Sequence, residues 1–327
     1  MQTGIFTISL DFELFWGVRD KKTQQDYKEN ILGARAVIPK LLEIFLQHNI
    51  HATWATVGFL FAKNKEELRT YIPEKLPGYR SSRLSPYKHI DSIGENEEVD
   101  PFHYANSLIC QISNYPGQEI GSHTMSHFYC LEEGQNISDF ETDIKNSILL
   151  AQKNNIQLKS FIFPRNQLNP EYISICKKYN IESYRGNEKS FIYKENNEAN
   201  TSLLIKILRF TDTYFNLTGY NTFTINANRI PINIKSSKFF RPYNKKLKIL
   251  EPLKIRRIKK AMTYAAKNKR IFHLWWHPHN FGISIENNID NLLAILRQYQ
   301  ILNKQYGMIS QNMSEISSHI NNPHIFQ

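Results

Sequence analysis

The chain of 327 residues has only three cysteines, Cys110, Cys130 and Cys176, and no CxxC among them. So few thiols build neither a disulfide framework nor a CxxC zinc site, and they point to small buried hydrophobes in a reducing compartment. Long apolar runs are also missing, and no window can span a bilayer. The first apolar run, Ile5 to Leu10, follows no basic segment and is broken by Asp11 and Glu13, so no signal peptide is expected. These absences predict a cytoplasmic protein. No repeat or low-complexity linker divides the chain, and 41% hydrophobic residues suffice for one large core, so a single domain over 1–327 is expected. Acids are scarce as well: 30 Asp and Glu face 41 Lys and Arg, a net charge of +11 that favours an acidic partner. Much of the excess falls between 235 and 270, including KIRRIKK from Lys254 to Lys260. No nucleic-acid motif accompanies it. A solvated helix face is the simplest reading, followed by peripheral contact with an anionic membrane.

What is present begins with SLDFELFWG, Ser9 to Gly17. Side chains alternate along a strand, so Asp11 and Glu13 point the same way if the strand runs through them. Two carboxylates side by side must be solvated, paired or bound to a metal. Tyr27 to Asn49 has apolar residues at helical spacing, and HATWATV, His51 to Val57, is a second strand bounded by Gly58. Strand, helix, strand predicts a βαβ unit and a parallel sheet. Phe59 to Ile72 looks helical, whereas Pro73 to Phe102 shows no period and is read as an irregular insertion, a lid or a disordered loop. Further strands are expected at Gln118–Ser122, Ser160–Phe163, near Ile181–Tyr184 and at Ile271–Trp276. Helices are expected at Ser138–Asn154, capped by Ser138 with Glu141, near Pro170, at Leu247–Lys269 and at Glu286–Tyr306. Asn187 to Tyr243 gives little signal. The alternation predicts an α/β barrel.

In such folds function gathers at the carboxyl ends of strands. Four polar clusters fall there: Asp11/Glu13, His123/His127, Arg165/Asn166 and His277/His279. Histidines four apart share a helix face and can bind one metal; the bland alternative is a pair of hydrogen-bonded loop histidines. Two histidines and a carboxylate would leave positions open for water and substrate, the pattern of a catalytic site. Trp275 shares the side of His277 and either lines the site or plugs the barrel, while His279, after a proline, is assigned to a loop. Phe15 and Trp16 either stack on a sugar or belong to the core.

In order and content these segments resemble the polysaccharide deacetylase (NodB-homology) family, carbohydrate esterase family four. DxE at Asp11 to Glu13 is similar to its acidic first motif, and HTMSH, His123 to His127, to its H-[ST]-x-x-H motif. ATWATVG, Ala52 to Gly58, resembles its ATFF-like strand, and LWWHPHNFG its final histidine motif, so the likeness runs from Gly4 to Gly282. The resemblance implies a distorted (β/α) barrel of about seven strands and metal-assisted removal of acetyl from an N-acetylated amino sugar. Cytoplasmic action implies a nucleotide- or lipid-linked precursor of a surface polysaccharide as substrate. Carried over residue by residue, Asp11 is the general base and His277 the general acid. Glu13, His123 and His127 hold a divalent metal, zinc first, and Arg165 orients Asp11. Trp16, Trp275 and Asn166 are the candidates for holding substrate. The chain departs from the family in Glu13 for an aspartate, in Pro164 preceding Arg165, and in Trp275 for a leucine. The fourth motif has SYRGNE, Ser183 to Glu188, as its candidate. Two rival readings are an amidohydrolase of the same fold acting on a non-sugar C–N bond, and an inactive barrel that binds glycan.

Overall fold

β1 (Ile5–Phe12) is buried along its whole length, as a strand with neighbours on both edges and layers on both faces must be. The computed structural model describes residues 3–197, 201–225 and 230–321. The remaining strands are β2 (Ala52–Thr56), β3 (Gln118–Ser122), β4 (Ser160–Ile162), β5 (Ser183–Arg185), β6 (Ile232–Asn233), β7 (Lys238–Phe239), β8 (Ile271–Trp276) and β9 (Ile309–Ser310). The helices are α1 (Gln24–Gln47), α2 (Lys65–Arg69), α3 (Asn106–Ser113), α4 (Ile137–Lys153), α5 (Ile173–Lys178), α6 (Leu203–Tyr214), α7 (Glu251–Lys267), α8 (Pro278–Phe281), α9 (Ile285–Tyr306) and α10 (Met313–Asn321).

All strand pairs are parallel, in the order β6-β5-β4-β3-β2-β1-β8-β7, with β9 taking the free start of β1 at Ile5 and Phe6. β6 and β7 are two halves of one extended segment. Its first half bonds to β5 through Ile232, Ile234 and Ser236, and its second to β8 through Ser237 and Phe240. The segment therefore joins the two edges of the sheet. Counted this way the barrel has the seven strands expected, with β9 added outside.

The helices bury one face each, α1 through Ile31, Ala34, Ile38, Leu41, Leu42 and Phe45, the residues that the spacing predicts. Several boundaries differ from expectation. Phe59–Ile72 is not one helix: a 3-10 turn ends at Phe61 and α2 starts afresh where the Asn64 side chain accepts from Glu67 N–H. α4 is capped by Asn136, not Ser138, because Asn136 reaches two backbone donors while Asp139 accepts from Asn136 N–H. The stretch Pro73–Phe102 is packed rather than lid-like: Tyr87, Ile90 and Ile93 are buried, Tyr87 meets the Phe59 ring, and Leu84 C=O accepts from Arg19. α7 divides its cations. Lys254 pairs with Glu251 and Arg257 with Asp212, both inside the protein, which leaves only part of KIRRIKK outward.

Candidate active site

β1 ends at Phe12, and Glu13 opens a 3-10 turn with φ −127° and ψ −12°. The strand does not carry through both acids, yet the turn brings them to the same place: His277 Nε2 lies 3.7 Å from Asp11 Oδ2 and 3.6 Å from Glu13 Oε1. Gly17 makes this possible, since a Cβ there would stand 2.0 Å from the Glu13 carboxyl carbon. The longer acid folds back into the space that the missing side chain leaves.

His123 and His127 are on a loop after β3, not on a helix. Thr124 (φ 63°) and His127 (φ 56°) adopt left-handed backbone, costly for a β-branched threonine. A local network holds the loop in that shape. Asp143 of α4 accepts from Met125 N–H (2.6 Å), Ser126 N–H (3.2 Å) and the Ser126 hydroxyl, and Thr124 Oγ1 accepts from Phe128 N–H (2.7 Å). Met125 and Thr124 carbonyls accept in turn from Phe59 and Gly58. The loop points both imidazoles at Glu13, with Oε2 3.3 Å from His123 Nε2 and 2.9 Å from His127 Nε2.

Glu13, His123 and His127 are the sole cluster of three potential metal ligands among the described residues, with donor atoms within 4.8 Å of one another. The local chemistry fits a divalent metal. His123 Nδ1 lies 2.9 Å from Ile162 C=O, which places the N–H there and leaves Nε2 as a lone-pair donor. That Nε2 is buried with no hydrogen-bond partner. Burial pushes His127 down to about 4, so its ring is neutral, as a ligand must be. Burial alone would raise Glu13; the imidazoles of His277, His127 and His123 gathered around it outweigh that and hold it well below the usual carboxylate range.

Asp11 is held by a different arginine from the one expected. Arg165 donates to Asp20 at 2.6 and 2.7 Å. Arg185 of β5, inside the SYRGNE segment, grips both oxygens of Asp11 at 2.7 and 2.8 Å and also donates to Ser9 Oγ and Asn166 Oδ1, both at 2.9 Å. Arg165 stands in left-handed backbone (φ 54°) just after Pro164, and that turn carries its side chain away to Asp20. Burial disfavours the Asp11 charge, yet Arg185 and His123 together hold its pKa below the ordinary value. His273, buried on β8, completes this layer with Nε2 2.8 Å from Ser9 Oγ.

The other expected residues divide. Trp275 and Asn166 both touch Arg185, the ring of Trp275 lying 4.2 Å from its guanidinium. Trp16 is not a substrate platform: it is fully buried and its indole donates to His103 C=O at 2.9 Å. His279 is more than a loop residue. Pro278 starts α8, and the turn buries His279 with Nε2 3.9 Å from Glu13 Oε1, its pKa pushed down to about 3 by burial.

No protein-family model and no curated protein matches the sequence. Solved structures do match. One from Mycobacterium smegmatis, provisionally named a polysaccharide deacetylase, aligns with TM-score 0.61 at 10% identity over 99% of this chain and 92% of its own. The chain has the polysaccharide deacetylase fold. A second provisionally named polysaccharide deacetylase, from Pseudomonas aeruginosa PAO1, shares the deacetylase fold at TM-score 0.53 and 10% identity, over 100% and 94% of the two chains. A 4-alpha-glucanotransferase from Thermococcus litoralis contains it too, at TM-score 0.53 and 11% identity over 97% of this chain and 40% of its own. The deacetylase fold alone therefore does not separate amide hydrolysis from glycosyl transfer.

Proposed function

We propose that the protein is a metal-dependent, zinc-type N-deacetylase that hydrolyses the acetamide of an N-acetylated amino sugar. The observation that carries this is the convergence of Glu13, His123 and His127 beside an Asp11 kept ionised by Arg185. A divalent cation held by those three side chains would polarise the acetyl carbonyl and make water nucleophilic at neutral pH. Asp11 takes the proton of the attacking water, and the two-point grip of Arg185 fixes the direction in which its free lone pairs face. His277, partly exposed and 3.7 Å from Asp11, returns a proton to the nitrogen so that the amine departs neutral. Trp275 and Asn166 border the same space and position the sugar. Both acids are held below the usual carboxylate range, which removes the protonated carboxyl that glycosidic cleavage needs and disfavours the glycosyl-transfer chemistry of the fold's other members.

Among the described residues no helix is long and apolar enough to cross a membrane. A cytoplasmic enzyme of this kind would act before export, on a nucleotide- or lipid-linked precursor of a surface polysaccharide. Acetate release from an N-acetylated amino sugar, with and without a chelator, is the test. Activity that survives stripping of all divalent metal overturns the mechanism. Asp11→Asn that keeps both zinc and full turnover overturns the role of the base.

A further inference from the structure

A cavity of about 370 Å³ opens beside the catalytic cluster, between the β4 and β8 ends and α6. Its inner wall is shared with the site. Trp275 and Asn166 line it, and both touch the guanidinium that holds Asp11; Phe239 lines it with its ring 6.0 Å from that of His277. The remainder is unusually cationic for a sugar site. Seven lining residues are basic, among them Lys194, Lys206, Arg209, Lys238 and Arg241, against two acids, Glu188 and Glu195. Internal pairing does not cancel this. Arg165 is set against Asp20, and the single charge of Asp212 is divided between Lys238 (2.6 Å) and Arg257 (2.7 Å). A surplus of positive charge remains on the wall. Trp275 adds an orphan donor: the residue is 8% exposed and its buried indole N–H has no partner.

Neutral sugar hydroxyls are recognised by mixed donors and acceptors, whereas a surplus of ammonium and guanidinium groups with an unmet N–H calls for an acceptor-only, multiply charged ligand. We propose that this cavity binds the phosphate ester of an activated glycan, so that the protein deacetylates a sugar still attached to its diphosphate carrier. The phosphate rests on the Lys206 and Arg241 wall while the acetamide reaches Asp11 past Trp275. The inference rests on the deacetylase reading for the acetamide end and on the cavity alone for the phosphate end.

Two measurements on the metal-loaded protein test it. Inorganic pyrophosphate is titrated calorimetrically into the wild type and into Lys206→Glu and Arg241→Gln. Binding weakened at least tenfold in both variants, and weakened further by added salt, is expected. Absent binding, or binding equal in all three proteins, overturns the proposal. Acetate release is then compared for a free N-acetylated amino sugar, its nucleotide diphosphate and its polyprenyl diphosphate. A kcat/KM at least tenfold higher for one diphosphate form is expected, and whichever form wins identifies the carrier. A free sugar turned over as well as both diphosphates overturns the phosphate site and leaves the deacetylase reading standing. Pyrophosphate binding lost in the variants, with no acetate released from any substrate, refutes the deacetylase reading and keeps the anion site.

Discussion

Arg185 and Asp11 should behave as one energetic unit, which a double-mutant cycle can measure. Their side chains are 0% and 3% exposed and meet through two hydrogen bonds of 2.7 and 2.8 Å. Two unit charges about 4 Å apart interact by about 4 kcal/mol at an effective dielectric of about 20, before either is charged for leaving water. Arg185→Met leaves the Asp11 carboxylate buried without a cation, and a loss of about 3–5 kcal/mol is expected. Asp11→Asn strands the guanidinium in the same way, though Ser9 and Asn166 still accept from it. The double variant has no charge left to strand, so it should be less damaged than the sum of the singles, by about 2–3 kcal/mol. Urea unfolding of chelator-treated protein, followed by circular dichroism, reads stability apart from metal binding. A single-variant loss of this size lowers Tm by roughly 4–7 °C in a domain of this length. Costs that add within about 0.5 kcal/mol would refute the pairing. Arg165→Met serves as the contrast: it should show no coupling to Asp11→Asn.

Gly17→Ala should weaken zinc binding at least tenfold, because the new methyl occupies the place of the Glu13 carboxylate; adding Glu13→Asp should restore part of the affinity in a fluorescent zinc-competition assay. Asp143→Asn should change the pH dependence of stability. Burial pushes the Asp143 carboxyl up to about 6, above its unfolded value. Its contribution is therefore full below about pH 4 and is lost as pH rises through about 6, a swing on the order of 3 kcal/mol that the variant should lack in urea titrations from pH 4 to 7. Trp16→Phe should cost about 1–3 kcal/mol of stability and leave KM unchanged; a raised KM at unchanged stability would return Trp16 to the substrate site.

Much of the site was legible because it lies at strand ends, which apolar runs mark plainly. β1, β2, β3 and β8 lie close to where their runs place them, and the four polar clusters lie at or just beyond strand ends. What was missed depends on backbone direction. The i,i+4 spacing of His123 and His127 suggests a helix, but two left-handed residues make a loop that serves the same purpose. Arginine beside a proline drew the role of Asp11's partner to Arg165, while Arg185, on a three-residue strand with weak periodicity, holds it. The signal for Asp143 was present: an acid on the apolar face of α4, between Phe140 and Ile144, needs donors to face. His279 is marked by its place beside His277, but its inward direction is not, since only the turn begun by Pro278 brings it to Glu13.

The segment that joins β5 to β8 has a mechanical consequence. Arg185 and the turn to His277 grow from opposite edges of the sheet, and Ser236 and Ser237, adjacent in the chain, bond to Gly186 on one side and His273 on the other. This single run of backbone acts as a calliper, setting the gap between Arg185, which grips Asp11, and His277. One residue inserted between Ser236 and Ser237 would widen the jaws without touching any side chain of the site. The gap would then change, while Glu13, His123 and His127, carried by the ends of β1 and β3, stayed in register.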